Sequence, residues 1–464
     1  MRRKEQSIYA AISMVTGKNM VRLANEVRDR ASWSADAMAR YRLARLRSLL
    51  THAGRNVPYY RRTFAACGFD PAELSEFADL QAVPPLTRAT VINSFQDLRD
   101  QCVRRGRLMA VSTGGTTGQP VTVLLDKANG VERTLVNHRM YALMGRRLGD
   151  PTLLIAGSPI DFDAWQSFRS SVKNRLFNVT VRSSFGLTPA GIKSLIAELQ
   201  AKRFAYIIAY ASVFDLLAWH VRRSGRQVSL ENMVPCAELV SEAQRQSWKE
   251  AFAGEVFETY GSREMTSLAG ETHDHSGLVM NEDLYHVEIT DDFGRCVPDG
   301  QVGLITVTAL LEKGMPLIRY QLGDLGLRLP HMGGDRLPFA RLKVTHGRVV
   351  DVISCPDGKL LPGEFFPHLM KEVSEKVKKY QIVQEATDRL VVRIVRGVDY
   401  DEATSQYLQS KIQDQVGSGM RLDFDFADDI ETSLSGKFRP TISKVPWDAK
   451  TTLGRFDGGP MDGS

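Results

Sequence analysis

Apolar residues recur at helical spacing through "MARYRLARLRSLLTHAGRNVP", and the run stops before Pro58. "MRRKEQSIYAAISMV" suits an amphipathic helix, its apolar part being too short and interrupted for a signal peptide. "PPLTRATVINSF" reads as a turn followed by a capped helix, so residues 1–110 are predicted to be mainly helical. Between 120 and 350 the pattern changes. Short β-branched runs such as "PTLLIAG", "AYIIAY" and "AELVS" alternate with helical stretches such as "GIKSLIAELQAKRF", "VFDLLAWHVRRSG" and "AQRQSWKEAFAG". This alternation predicts an α/β layered domain. From "LYHVEITDDFGRCVPDGQVGLITVTAL" onward, Gly, Pro and Asp turns join strands into an antiparallel section. After about residue 348 the pattern restarts with "VVDVISCPDG", "YQIVQEATDRLVVRIVRG" and "YLQSKIQDQVG", enough for a small α+β domain. The expected domains are 1–348 and 349–464.

One stretch breaks the periodicity with chemistry. "VSTGGTTGQP", residues 111–120, lies between the apolar run "RLMAV" and the strand-like "VTVLLD". Its glycines admit close approach of backbone N–H groups to an anion, and its hydroxyls add donors. Neither the P-loop spacing nor the dinucleotide fingerprint is matched. On composition alone a phosphate cradle and an ordinary glycine-rich hairpin fit equally well.

Composition narrows the classes. The 464 residues are 43% hydrophobic and 25% charged, as in a globular chain of two or three domains. A net charge of +6, spread without a run of like charges, favours anionic ligands but argues against a nucleic-acid tail. Cys67, Cys102, Cys236, Cys296 and Cys355 are scattered with no C-x-x-C pair, so neither a zinc ribbon nor a disulfide framework is suggested and the cytoplasm is the natural compartment. No run of apolar residues is long enough for a transmembrane helix, so no membrane association is expected. No G-x-S-x-G or H-E-x-x-H motif is present, which makes a serine hydrolase or zinc peptidase a poor rival. Glu271, His273 and His275 would share one side of a strand, with His286 in the next strand. They read as solvated loop residues rather than a metal site.

Four further stretches follow the loop in order: "ETYGSREM", "IRYQLGDLG", "THGRVVDVI" and "SLSGKFRP". Together with "STGGTTGQP" they resemble the core motifs of the adenylate-forming superfamily, closest to its phenylacetate-CoA ligase and CapK-like branch, over roughly residues 50–445. The resemblance implies an α/β fold with a large multi-layer N-terminal adenylation domain, a β subdomain, and a small mobile α+β C-terminal domain. It implies that Ser112, Thr113, Gly114, Gly115, Thr116, Thr117 and Gly118 close over ATP phosphates. Tyr260 would stack on adenine, with Gly261 and Ser262 beside it, and Glu264 would hold Mg²⁺. Asp324 would take the ribose hydroxyls, Arg348 ribose or phosphate, and Lys437 the carboxylate and α-phosphate, with Arg439 a companion. Ser241 and Glu242 join the nucleotide side, and Tyr210, Ala211, Ser212, Phe214 and Glu238 the acyl pocket.

Two departures from the resembled pattern stand out. Arg263 replaces a threonine, and Val350 with Asp351 alters the hinge. The expected function is ATP- and Mg²⁺-dependent activation of a small-molecule carboxylic acid, aromatic or polar, to an acyl-adenylate, followed by transfer to coenzyme A. The alternative that the resemblance allows is an adenylating ligase that transfers the acyl group to an amine, an amino acid or a carrier-protein thiol in capsule or secondary-metabolite biosynthesis. A nucleotide-binding protein without catalysis is the reading from another class, and the presence of Thr117, Glu264, Asp324 and Lys437 argues against it.

Overall fold

The structure is a computed structural model that describes residues 3–112, 121–155, 174–183, 189–236, 240–330, 337–346, 352–357, 360–362, 365–373, 376–430 and 440–445. The chain divides into two compact units, one of residues 1–322 and 326–345, the other of residues 323–325 and 346–464.

The first unit opens with helices at Arg3–Thr16, Met20–Asp29, Ala35–Asn56 and Pro58–Cys67. Ser34 caps the third by accepting from the Ala37 amide, and it ends one residue short of Val57. Pro58 then starts the next helix, where its missing N–H costs nothing. The capped helix expected in "PPLTRATVINSF" is Arg88–Asn93, with Thr87 accepting from the Thr90 amide.

Two sheets follow. A five-stranded sheet runs in the order Val179–Arg182, Thr152–Ile155, Tyr206–Tyr210, Asn232–Cys236 and Glu255–Val256, with every neighbouring pair parallel. Helices Pro189–Ala201, Ala211–Ser224 and Glu242–Phe252 connect these strands and bury Ile192, Phe214, Leu217, Trp248 and Phe252 in the sheet's core. The strand expected at "AELVS" is displaced. It ends at Cys236, Ala237–Leu239 lie outside the described residues, and Ser241 already caps the next helix.

The second sheet has seven strands, in the order Tyr285–Thr290, Gly303–Ala309, Tyr320–Leu329, Arg341–His346, Leu278–Met280, Thr266–Gly270 and Thr259–Ser262. A separate hairpin pairs Leu108–Ser112 with Thr122–Asp126. The other compact unit carries a sheet in the order Arg421–Phe426, Arg389–Arg396, Val377–Ala386 and Thr441–Ser443. Helices Phe365–Glu372 and Glu402–Val416 supply Phe366, Leu369, Leu408 and Ile412 to its core. Among the described residues no helix is long and apolar enough to cross a membrane.

Candidate functional site

The "YGSRE" stretch forms a tight hairpin. Strands Thr259–Ser262 and Thr266–Gly270 pair with Tyr260 opposite Ala269 and Gly261 opposite Ser267, with a register shift between them. A Cβ on Gly261 would stand 2.0 Å from the Thr266 carbonyl oxygen and 3.1 Å from its carbon. Backbone cannot retreat as a side chain can, so this position requires glycine. Thr266 carries a left-handed φ of 56°. The turn is pinned from both sides. The Met265 amide donates to the Ser262 hydroxyl at 3.1 Å, and the buried Tyr285 hydroxyl donates to the Met265 carbonyl and shares a 2.9 Å bond with the Thr266 hydroxyl. Burial pushes the Tyr285 phenol up, so it stays a donor.

This turn presents Glu264, only 7% exposed. Its Oε1 accepts from the Tyr320 hydroxyl at 3.4 Å, the one donor to it among the described residues. Among the described residues the other carboxylates exposed by less than a tenth are partnered by a cationic or imidazole side chain, whereas Asp215, part-exposed, is held by the neutral donors Gln244 and Trp248. Arg42 meets Glu282 at 2.6 Å, Arg139 meets Asp283 at 2.8 Å, Arg319 meets Glu288 at 3.0 Å, Arg245 meets Glu271 at 3.0 Å, Arg133 meets Glu312, and His52 meets Asp100 at 3.0 Å. A buried carboxylate is expensive unless a cation compensates it, and among the described residues no protein cation does so at Glu264. A hard oxygen donor in that state fits Mg²⁺.

Arg245 ties the parallel sheet's last helix to this hairpin. Its guanidinium reaches the Val256 carbonyl at 2.7 Å, Glu258 at 2.5 Å and both oxygens of Glu271 at 3.0 Å, while the Glu258 amide donates to Glu271 at 2.8 Å. Burial works to lower the Arg245 pKa, and the two carboxylates overcome it and raise the value. Ser241 heads the same helix through a capping box with Gln244, whose amide donates to Asp215 at 2.7 Å, and Trp248 donates to the other oxygen of Asp215 at 2.8 Å. Burial raises the Asp215 carboxyl despite these two donors.

The carboxyl ends of the middle parallel strands meet where Tyr210 lies opposite Cys236. Ligands of open α/β sheets bind outside such ends. Tyr210 ends its strand and Ala211 and Ser212 begin the following helix, while Phe214 lies deeper, fully buried with its ring 5.2 Å from that of Trp248. Glu242 extends into solvent, its carboxylate 85% exposed and 4.0 Å from Arg245.

The glycine-rich stretch does join two strands. Ser112 and Thr122 end the paired strands, and their hydroxyls lie 2.8 Å apart. The base is anchored by Asp126, which accepts from the Lys313 and Gly314 amides at 2.8 and 2.9 Å. Asp324 lies on the strand Tyr320–Leu329. Thr113, Gly114, Gly115, Thr116, Thr117, Gly118, Glu238, Arg348, Val350, Asp351, Lys437 and Arg439 lie outside the described residues, as does the side chain of Ser212.

The reading of solvated loop residues holds for His273 and His275 and needs correction at His286. The strand ends at Gly270, so Glu271, His273 and His275 sit in a turn-rich loop rather than along one strand face. His275 lies 3.2 Å from Glu271 and 3.4 Å from Glu255. His286 is not solvated but buried, two strands onward, stacked on Phe77 with a 4.7 Å centroid separation and 3.0 Å from an Arg42 nitrogen. Sequence reasoning missed Tyr320, Tyr285 and Arg245. Tyr320 lies within "IRYQLGDLG", yet spacing alone gives no sign that it reaches Glu264, 56 positions earlier.

Known proteins resemble this chain in sequence and in fold. Residues 353–444 match the CapK C-terminal domain. Phenylacetate-coenzyme A ligase from Aromatoleum evansii is 25% identical over 438 residues, covering 89% of this chain and 96% of that protein. The enzyme of the same name from Pseudomonas putida is 27% identical over 365 residues, covering 75% and 79%. Among solved structures, 2-hydroxyisobutyryl-CoA ligase in its postadenylation state with 2-HIB-AMP superposes with a TM-score of 0.70 at 20% identity, covering 89% of this chain and 91% of that one. That likeness establishes the fold.

Proposed function

We propose that this chain, a relative of the phenylacetate-coenzyme A ligases with a CapK C-terminal domain, activates a carboxylic acid with ATP and transfers the acyl group to coenzyme A. The observation that carries the reading is Glu264, a buried carboxylate lacking a protein counter-cation among the described residues, on the "YGSRE" hairpin. Mg²⁺ held there would neutralise charge on the phosphates of bound ATP.

The rest follows from the reaction. A carboxylate oxygen attacks the α-phosphorus, the bond to the β-phosphate oxygen breaks, and pyrophosphate leaves. The thiol of coenzyme A then attacks the acyl carbon, loses its proton and expels AMP. Such a transfer is governed by electrostatic stabilisation and positioning. In this reading the backbone and hydroxyls of Ser112 to Gly118, Thr117 among them, donate to the leaving phosphates. Tyr260 stacks on adenine, flanked by Gly261 and Ser262. Asp324 accepts from the ribose hydroxyls, and Arg348 contacts ribose or phosphate. Lys437, from the 349–464 domain, stabilises the incoming carboxylate and the α-phosphate. The acid occupies the region of Tyr210, Ser212 and Glu238, supported by the meeting of Tyr210 and Cys236 at the sheet's carboxyl edge, with Ser241 and Glu242 on the nucleotide side and Phe214 backing the region from the core rather than lining it.

The second reading keeps adenylation and changes the acceptor to an amine, an amino acid or a carrier-protein thiol. Five scattered cysteines support a cytoplasmic setting. The test is a pyrophosphate-release screen of aryl and amino acids, each with and without coenzyme A. Acid-dependent release with coenzyme A consumption supports the first reading, and release without it the second. No acid-dependent release at all removes both.

A further inference from the structure

Tyr320 occupies an unusual backbone setting. Arg319, directly before it, is 1% exposed and holds a left-handed φ of 53°, a conformation that a bulky side chain adopts only when its surroundings enforce it. The enforcement is visible. The guanidinium meets Glu288 at 3.0 Å and donates to the carbonyls of Val83 at 2.6 Å and of Gly294, while the Arg319 amide donates to the Thr308 hydroxyl at 2.9 Å. Leu86 clamps the backbone on both sides of Tyr320, its amide donating to the Arg319 carbonyl at 2.9 Å and its carbonyl accepting from the Gln321 amide at 3.0 Å. Tyr320 is itself buried, and its hydroxyl donates to Glu264 Oε1.

We infer that Tyr320 is a positioning residue for the metal carboxylate: by holding Oε1 of Glu264 it orients the carboxylate and leaves Oε2 for a divalent cation that accompanies the nucleotide. The inference rests on the reading of Glu264 given above. Outer hydrogen bonds to metal-binding carboxylates fix their orientation, and losing one typically weakens metal affinity by about 10- to 100-fold. The 3.4 Å bond here belongs at the lower end of that range.

The experiment measures affinity for α,β-methylene-ATP, which cannot be cleaved at the reacting bond, by titration calorimetry in Mg²⁺ and again in EDTA. The ratio of the two affinities reports the metal without any turnover. Glu264→Gln should bring the ratio close to one. Tyr320→Phe, which removes one hydroxyl, should lower it by about 10-fold while leaving the affinity in EDTA unchanged. The double variant should match Glu264→Gln alone, because Tyr320 acts through that carboxylate. A Tyr320→Phe protein that loses affinity equally in both conditions, or keeps the wild-type ratio, overturns the positioning role. A Glu264→Gln protein with the wild-type ratio overturns instead the reading of Glu264. Melting temperatures of all variants establish that each is folded.

Discussion

Glu264→Gln should make the nucleotide-free protein more stable while disabling it. The side chain is 7% exposed, and its described partner is the Tyr320 hydroxyl at 3.4 Å. Taking an ion out of water costs several kcal/mol after relaxation. One hydrogen bond to a charged group returns about 1.5–3 kcal/mol at best, and less at this length. Glutamine keeps the shape and can still accept from Tyr320, so the substitution removes the penalty and retains the bond. A gain of about 1 kcal/mol is expected, raising the melting temperature of this large unit by about 1–2 °C.

Glu288→Gln supplies the contrast. It strands the buried Arg319 guanidinium, and breaking such a pair costs about 3–5 kcal/mol. Melts and urea titrations without nucleotide or divalent metal, alongside acid-dependent pyrophosphate release, measure both effects. Glu264→Gln should lose at least about 100-fold in adenylation. If it destabilised the apo protein as much as Glu288→Gln does, Glu264 would be an ordinary structural ion-pair member and the argument would collapse.

Lys437→Ala should lower acyl-AMP formation by at least about 100-fold yet transfer the acyl group from preformed acyl-AMP at nearly the wild-type rate. Equal damage to both half-reactions would make Lys437 structural. His286 gives a pH prediction: burial first, then the positive charges of Arg42, Arg328 and Arg319, hold its pKa well below the usual histidine value. The unfolded chain binds that proton below about pH 6.5 and the folded one does not, so stability is full above this value and falls by about 1.4 kcal/mol per pH unit below it. Denaturation midpoints at pH 7.5 and 5.5 should differ less in His286→Asn than in the wild type, and an equal difference would refute the assignment.

Much of this architecture is written locally. Ser34, Pro58 and Thr87 act within one turn of their own helices, so helix boundaries can be read from neighbours alone. The alternation of strands and helices that yields the parallel sheet is equally local. The strand Asn232–Cys236 is harder to place, since Pro235 within it argues against a strand by pattern and only pairing with Ala209 overrules that. The candidate site's motifs are read in order along the sequence, but the contacts of its described residues are not. Arg245 with Glu271, and Tyr320 with Glu264, join positions 26 and 56 apart, and no periodicity links them. The same is true of His286, whose burial depends on Phe77 from a distant segment.

The central claim is that a carboxylate oxygen of the acid bonds to the α-phosphorus of ATP. An acid that scores in the release screen, labelled with ¹⁸O in both carboxylate oxygens, tests this directly when turned over with ATP, Mg²⁺ and coenzyme A and followed by mass spectrometry of the nucleotide. The account predicts AMP carrying one ¹⁸O, since the attacking oxygen stays with phosphorus when the thiol expels the nucleotide. Unlabelled AMP, or ADP with the label in inorganic phosphate, would contradict it.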